Sequence, residues 1–202
     1  MCRRWVPLAI VYDDEVSMIQ RAKQPEAVVD DLYEVEGRAE LVNGVIVHMP
    51  PTGDMPSQAG GEIFASLRAY AKRRRKGRAY TDNASFLCDL PRRKSFSPDA
   101  AFYTGPRAGM KFLPQPPDLA VEVRSENDYG PDAEKALAAK RRDYFDAGTL
   151  VVWDVDLLSD DVVRVYRHTD REQPTLYRRG DVAEAEPAVP GWTMPVEDLF
   201  ED

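Results

Sequence analysis

The sequence predicts a mixed α/β (α+β) chain, and three observations carry that expectation. Two long segments, near 57–75 and 131–147, repeat apolar residues at helical spacing. Around them run short apolar and β-branched stretches bounded by Pro, Gly and polar residues, as strands are. Near the front, Asn43-Gly44 separates two apolar runs, the pattern of a tight β-hairpin.

The bulk properties narrow the class. A chain of 202 residues is long enough for one domain with a sizeable core. A hydrophobic fraction of 43% excludes disorder. The net charge of −8 argues against a general nucleic-acid coat, which needs clustered cations, but leaves room for a local basic groove. Cys2 and Cys88 give no disulfide framework and fit a reducing compartment. The apolar run near the N-terminus is broken by Pro7 and ended by acids, too short for a secretory signal or a membrane span. A cytoplasmic protein is expected, with residues 1–32 a peripheral segment and 33–202 a single domain.

In order along the chain, "RAELVNGVIVHMP" (38–50) forms the hairpin. Glu40 stands on its first arm among apolar neighbours, either as a solvated cross-strand partner or as a site residue. A Pro- and Gly-rich loop (50–61) leads into a helix from Ser57 to Arg75, with Ile63, Leu67, Tyr70 and Ala71 on its buried stripe. Gly77 is expected to cap it. Its end carries Lys72, Arg73, Arg74, Arg75, Lys76 and then Arg78. Cations suit a helix C-terminus, but six in seven positions exceed what capping needs and make the best phosphate-backbone candidate. Residues 79–91 read as one or two strands, and "RRK" (92–94) as a basic loop.

The chemistry concentrates in "SFSPDAAFY" (95–103) and "PDLAVEVRS" (117–125). Each reads as a strand with one acid where an apolar residue is preferred. Alternation sends Leu119, Val121 and Val123 to one face of the second strand, and Ala120, Glu122 and Arg124 to the other. On the first, Asp99 shares a face with Ala101 and Tyr103. If the two strands are neighbours, Asp99 and Glu122 converge on one divalent cation, and hard oxygen ligands suit Mg²⁺ or Mn²⁺.

A second helix follows, with Pro131 in its first turn and Gly148 after its last. Lys140 falls on the apolar stripe of Leu137 and Tyr144. It either snorkels to the helix edge or reaches the Asp99/Glu122 site. Strands are expected at 149–156, 162–168 and 174–181, and a last short helix at "PVEDLF".

Several activities are excluded. The chain has no Walker-type phosphate loop and no dinucleotide fingerprint. His48 and His168 with two distant cysteines make no zinc site, and no nucleophile elbow is present.

The order "AELVNGVIV", "PPTG", a helix, "SPDAAFY", "PDLAVEVRS", "KRRDYFDAG", "LVVWDVD" and "VPGWTMPVEDLF" resembles the Uma-type putative restriction endonucleases of the PD-(D/E)XK nuclease superfamily, a large bacterial family. The resemblance runs from about Tyr33 to Phe200. It implies a restriction endonuclease-like core, a central mixed sheet flanked by helices. It also implies a metal held by Asp99 and Glu122, with the Val123 carbonyl as a further ligand and Glu40 near the ion. Lys140 would replace the motif's own Lys, whose place here is taken by Arg124. A His that many relatives carry after "PTG" is missing; Asp54, Met55, Pro56 and Ser57 stand there.

The activity so implied is Mg²⁺- or Mn²⁺-dependent hydrolysis of phosphodiester bonds in DNA. Asp99, Glu122 and Glu40 would hold the ion and Lys140 would orient the water. Arg124 would clamp a phosphate oxygen, and Lys72–Lys76 with Arg78 would hold the flanking backbone. Cutting both strands needs two active sites, which implies a two-fold dimer. The alternative is a nuclease-fold module that binds nucleic acid or a protein partner without cutting.

Overall fold

A computed structural model describes residues 26–200. Its centre is a mixed sheet of six strands in the order β10-β9-β8-β7-β6-β3. The strands are β3 (Arg78–Thr81), β6 (Ala100–Tyr103), β7 (Leu119–Val123), β8 (Val151–Val155), β9 (Val163–Arg167) and β10 (Asp170–Tyr177). Only β7 and β8 run parallel; the helix α2 (Pro131–Ala147) supplies the crossover that parallel neighbours require. The helix α1 (Asp54–Arg74) packs on the opposite face. The fold is therefore the central mixed sheet with flanking helices that the sequence implied.

The faces follow from alternation. Leu119, Val121 and Val123 join the core under α1, where Ile63 and Leu67 are fully buried, each worth about 2 kcal/mol of transfer free energy. Ala120 and Val152 face Tyr144 and Phe145 of α2. The helix α1 begins three residues before the expected Ser57 and ends one residue before the expected Arg75, which itself takes the left-handed cap position expected of Gly77. Gly77 has its own reason: a Cβ there would lie 2.1 Å from Cζ of Phe102.

The N-terminal hairpin is as expected, β1 (Ala39–Val42) and β2 (Val45–His48), with φ of +52° at Asn43 and +69° at Gly44 as a type I′ turn demands. Ahead of it the 3-10 helix Val29–Glu34 buries Leu32 against Ala39 and Leu41, so the packed structure begins before the boundary at residue 33. Two small sheets were not anticipated: β4 (Phe86–Leu87) with β5 (Ser95–Phe96), and β11 (Val182–Glu184) with β12 (Thr193–Pro195). The stretch 95–103 is therefore two strands of different sheets, and Asp99 lies between them rather than inside one. The tail ends in the 3-10 helix Val196–Leu199 and closes over the α1 side, where Trp192 donates to Ser66 at 3.0 Å. No helix among the described residues is long and apolar enough to cross a membrane.

Candidate active site

Pairing of β6 with β7 brings the two acids together. Ala100 lies opposite Val121, and the Asp99 amide donates to the Val121 carbonyl at 2.9 Å. The Asp99 carboxylate turns along the strand end: Oδ2 accepts from the Val123 amide at 2.7 Å, and Oδ1 from Nη1 of Arg38 at 2.7 Å. Glu122 projects from the other face of β7 toward α2. There Tyr144 donates its hydroxyl to Oε1 at 2.6 Å, and Lys140 reaches Oε2 at 2.9 Å. Lys140 thus turns inward to the acid. Its ammonium also lies 3.0 Å from Oε1 of Glu40.

Glu40, 2% exposed, is the hub behind the cavity. Oε1 takes the Ser97 amide at 2.9 Å as well as Lys140, and Oε2 takes Arg93, whose Nε is held by Asp143 at 2.9 Å. The two glutamates titrate in opposite directions. Burial pushes both up, but at Glu40 the charges of Lys140 and Arg93 and the Ser97 amide outweigh it and hold the carboxyl below its usual range. At Glu122 burial prevails, aided by repulsion from Asp99 and Glu40 against the pull of Lys140, and the carboxyl is raised. Burial would lower Lys140, yet Glu122 and then Glu40 more than offset it, so the amine is raised and stays an ammonium. It can donate a hydrogen bond but cannot serve as a base.

Asp99, Glu122, Val123, Lys140, Arg38 and Arg124 line one cavity of about 240 Å³. Among the described residues no three His, Cys, Asp or Glu side chains cluster closely enough to form a complete metal cage. The donor chemistry still fits a hard cation. Each oxygen of Asp99 and Glu122 accepts a single donor, which leaves further lone pairs free. One or two carboxylates with waters and phosphate are what Mg²⁺ ordinarily takes. Glu40 does not line the cavity, and its Oε1 is already bonded twice; its place is behind Lys140.

The chain matches the family model Uma2, "Putative restriction endonuclease", over residues 29–197. It belongs to the Uma2 family. Among solved structures it is similar to a putative nuclease of the DUF820 group from Anabaena variabilis ATCC 29413, with 18% identity and a TM-score of 0.66. That match covers 85% of this chain and 96% of the other, and at this identity it establishes the fold alone. No curated protein matches.

Arg124 and the basic run do not stand as the sequence suggested. Arg124 donates to both oxygens of Asp154 on β8, at 2.7 and 2.8 Å, and with its other edge to Glu134 on α2. It is a strut between β8 and the first turns of α2, the helix that carries Lys140. The basic run sits at the far end of α1. Gly60 of α1 abuts Asp99, and at 1.5 Å per residue position 74 lies about 21 Å farther along the axis. Lys72–Lys76 are exposed, whereas Arg78 is tied to the Gly105 carbonyl at 2.6 Å and to the Tyr80 hydroxyl at 3.0 Å.

Sequence reasoning missed Arg38, Arg93, Ser97 and Tyr144 as site residues. Arg38 was within reach, because it stands two residues before Glu40 at the entry to the hairpin. Tyr144 follows Lys140 by one helical turn. Arg93 stood in a run that reads as a solvated basic loop, and nothing local marks it as buried.

Proposed function

We propose that this Uma2 chain is a divalent-cation-dependent endonuclease acting on phosphodiester bonds in DNA. One observation carries the proposal: Asp99 and Glu122 line one cavity with an ammonium fixed 2.9 Å from Glu122. Asp99 and Glu122 would hold the cation, with the Val123 carbonyl beside them. When bound, such an ion acidifies water and offsets charge on a scissile phosphate. Tyr144 and Lys140 fix the orientation of Glu122, and Lys140 supplies a permanent positive charge and a donor where anionic charge develops. Glu40 and Arg93 position Lys140 from behind. Cutting both strands would require a two-fold pair of chains.

The test is plasmid incubated with purified protein and Mg²⁺ or Mn²⁺, against Asp99→Ala. Nicking by the native protein alone supports the proposal; equal nicking by both, or by neither, counts against it. A second function, a nuclease-fold module that binds without cutting, is favoured by one feature: every acid of the site already carries a cationic or donor partner. Calorimetry that finds no Mn²⁺ binding beside salt-sensitive DNA binding would select it.

A further inference from the structure

We propose that Arg38 is the residue that binds the substrate's phosphate in this cavity, the part first expected of Arg124. The identity of the anion, a phosphodiester oxygen, rests on the endonuclease proposal above; the location of the site does not.

Three cations line the cavity: Arg38, Arg124 and Lys140. Arg124 touches three carboxylates, those of Asp154, Glu134 and Asp156. A phosphate approaching it meets net negative charge, and four of its five N–H groups are already committed. Lys140 is held between Glu40 and Glu122. Arg38 touches a single carboxylate, Asp99. Its remaining bonds go to the uncharged Ser97, from Nε to the carbonyl and hydroxyl at 3.2 and 3.3 Å and from Nη2 to the same carbonyl. Among the described residues this leaves one N–H on Nη1 and one on Nη2 without a partner, and a guanidinium with two such donors can bind a phosphate.

The guanidinium is also preorganised. Ser97 fixes one edge of it, and the Ser97 amide is bonded to Glu40, so Arg38 and Lys140 are anchored to the same hub. Asp99 is the one carboxylate that Arg38 touches, while Glu122 and Glu40 act on its charge from farther away. Neutralising Asp99 removes the nearest competitor for an incoming anion.

This can be tested without metal and without catalysis. In EDTA, a short labelled duplex is titrated by fluorescence anisotropy with the native protein, Asp99→Asn, and Asp99→Asn combined with Arg38→Met or with Arg142→Met. Arg142 is an exposed cation of α2 and controls for general charge. Asp99→Asn is expected to bind about tenfold tighter than native, the scale of one charge-assisted bond. Adding Arg38→Met should abolish the gain and lower the salt slope by about one, while adding Arg142→Met should retain the gain. If the Arg38→Met protein gives no cooperative melt, Arg38→Gln, which keeps a donor for Ser97, carries the same expectation. No gain in Asp99→Asn, a gain that survives loss of Arg38, or an equal loss on removing Arg142 would each overturn the proposal. Failure of the endonuclease proposal is read separately, by nicking with Mn²⁺.

Discussion

The two ends of β6 differ in how charge is satisfied. At the Asp99 end, the three acids Glu40, Asp99 and Glu122 are met by Arg38, Arg93 and Lys140 from three different segments, and Asp143 steadies Arg93. At the Tyr103 end, a cavity of about 350 Å³ is lined by Arg78, Arg107 and Lys111 and by no acid. The exposed run Lys72–Lys76 leads into Arg78, which stands opposite Tyr103. Among the described residues the deep charges at the first end are paired with one another, while the cations at the second end have no carboxylate partner. The most basic part of the sequence is therefore the part farther from the paired acids. It can hold only backbone some 20 Å from the acids, about six base pairs of duplex.

The largest effect that would sharpen this contrast is at the acid end. Asp99→Ala is expected to lower Mn²⁺-dependent nicking by at least about a hundredfold, read from supercoiled-plasmid decay. A decline of only a few-fold would mean that the chemistry lies elsewhere.

Next comes Glu40→Gln, which leaves Arg93 and Lys140 buried without their shared partner. It should cost about 3 kcal/mol and lower the melting temperature by roughly 5–10 °C at pH 7. Because the folded carboxyl sits below its ordinary 4.5, this stabilisation is present above that pH and lost as pH falls. The difference in melting temperature between native and variant should narrow toward pH 3.

At the basic end the effect is on affinity. Neutralising Arg107 and Lys111 together, or Lys72, Arg74, Arg75 and Lys76, should weaken binding of a long duplex by about tenfold at low salt. Nicking of a short duplex centred on the cut should be unchanged. Equal loss on short and long duplexes would show that the two ends are not separate.

The smallest effect is Glu122→Gln in metal-free buffer. The folded carboxyl is raised above 4.5, so ionising it costs stability as pH rises, a cost absent below 4.5. The amide still accepts from Tyr144. The variant should melt within about 2 °C of native near pH 4 and gain on it toward pH 8, by calorimetric melts. A loss that grows with pH would show that Lys140 outweighs burial at Glu122 too.

Much of this site could be read locally, because each clue was one residue out of place in a periodic pattern. Glu122 broke an alternating strand, Lys140 broke an apolar helical stripe, and Asn43-Gly44 demanded positive φ on both residues. The residues that hold those three in place gave no such signal. Arg93 looked like loop charge, and Arg124 looked like a phosphate ligand because it occupies the motif position. Only the neighbouring strand shows that Asp154 stands ready to take it.

The sequence by itself determined the hairpin, the two helices, the alternation of β7 and the place of Lys140 on the apolar stripe of α2, since periodicity and turn chemistry act over a few residues. Which charges meet was decided by tertiary structure alone. Pairing of β6 with β7 and the packing of α2 set distances between residues far apart in the chain, 18 positions for Glu122 and Lys140 and 61 for Arg38 and Asp99, and a carboxylate takes whichever cation the fold brings within about 3 Å.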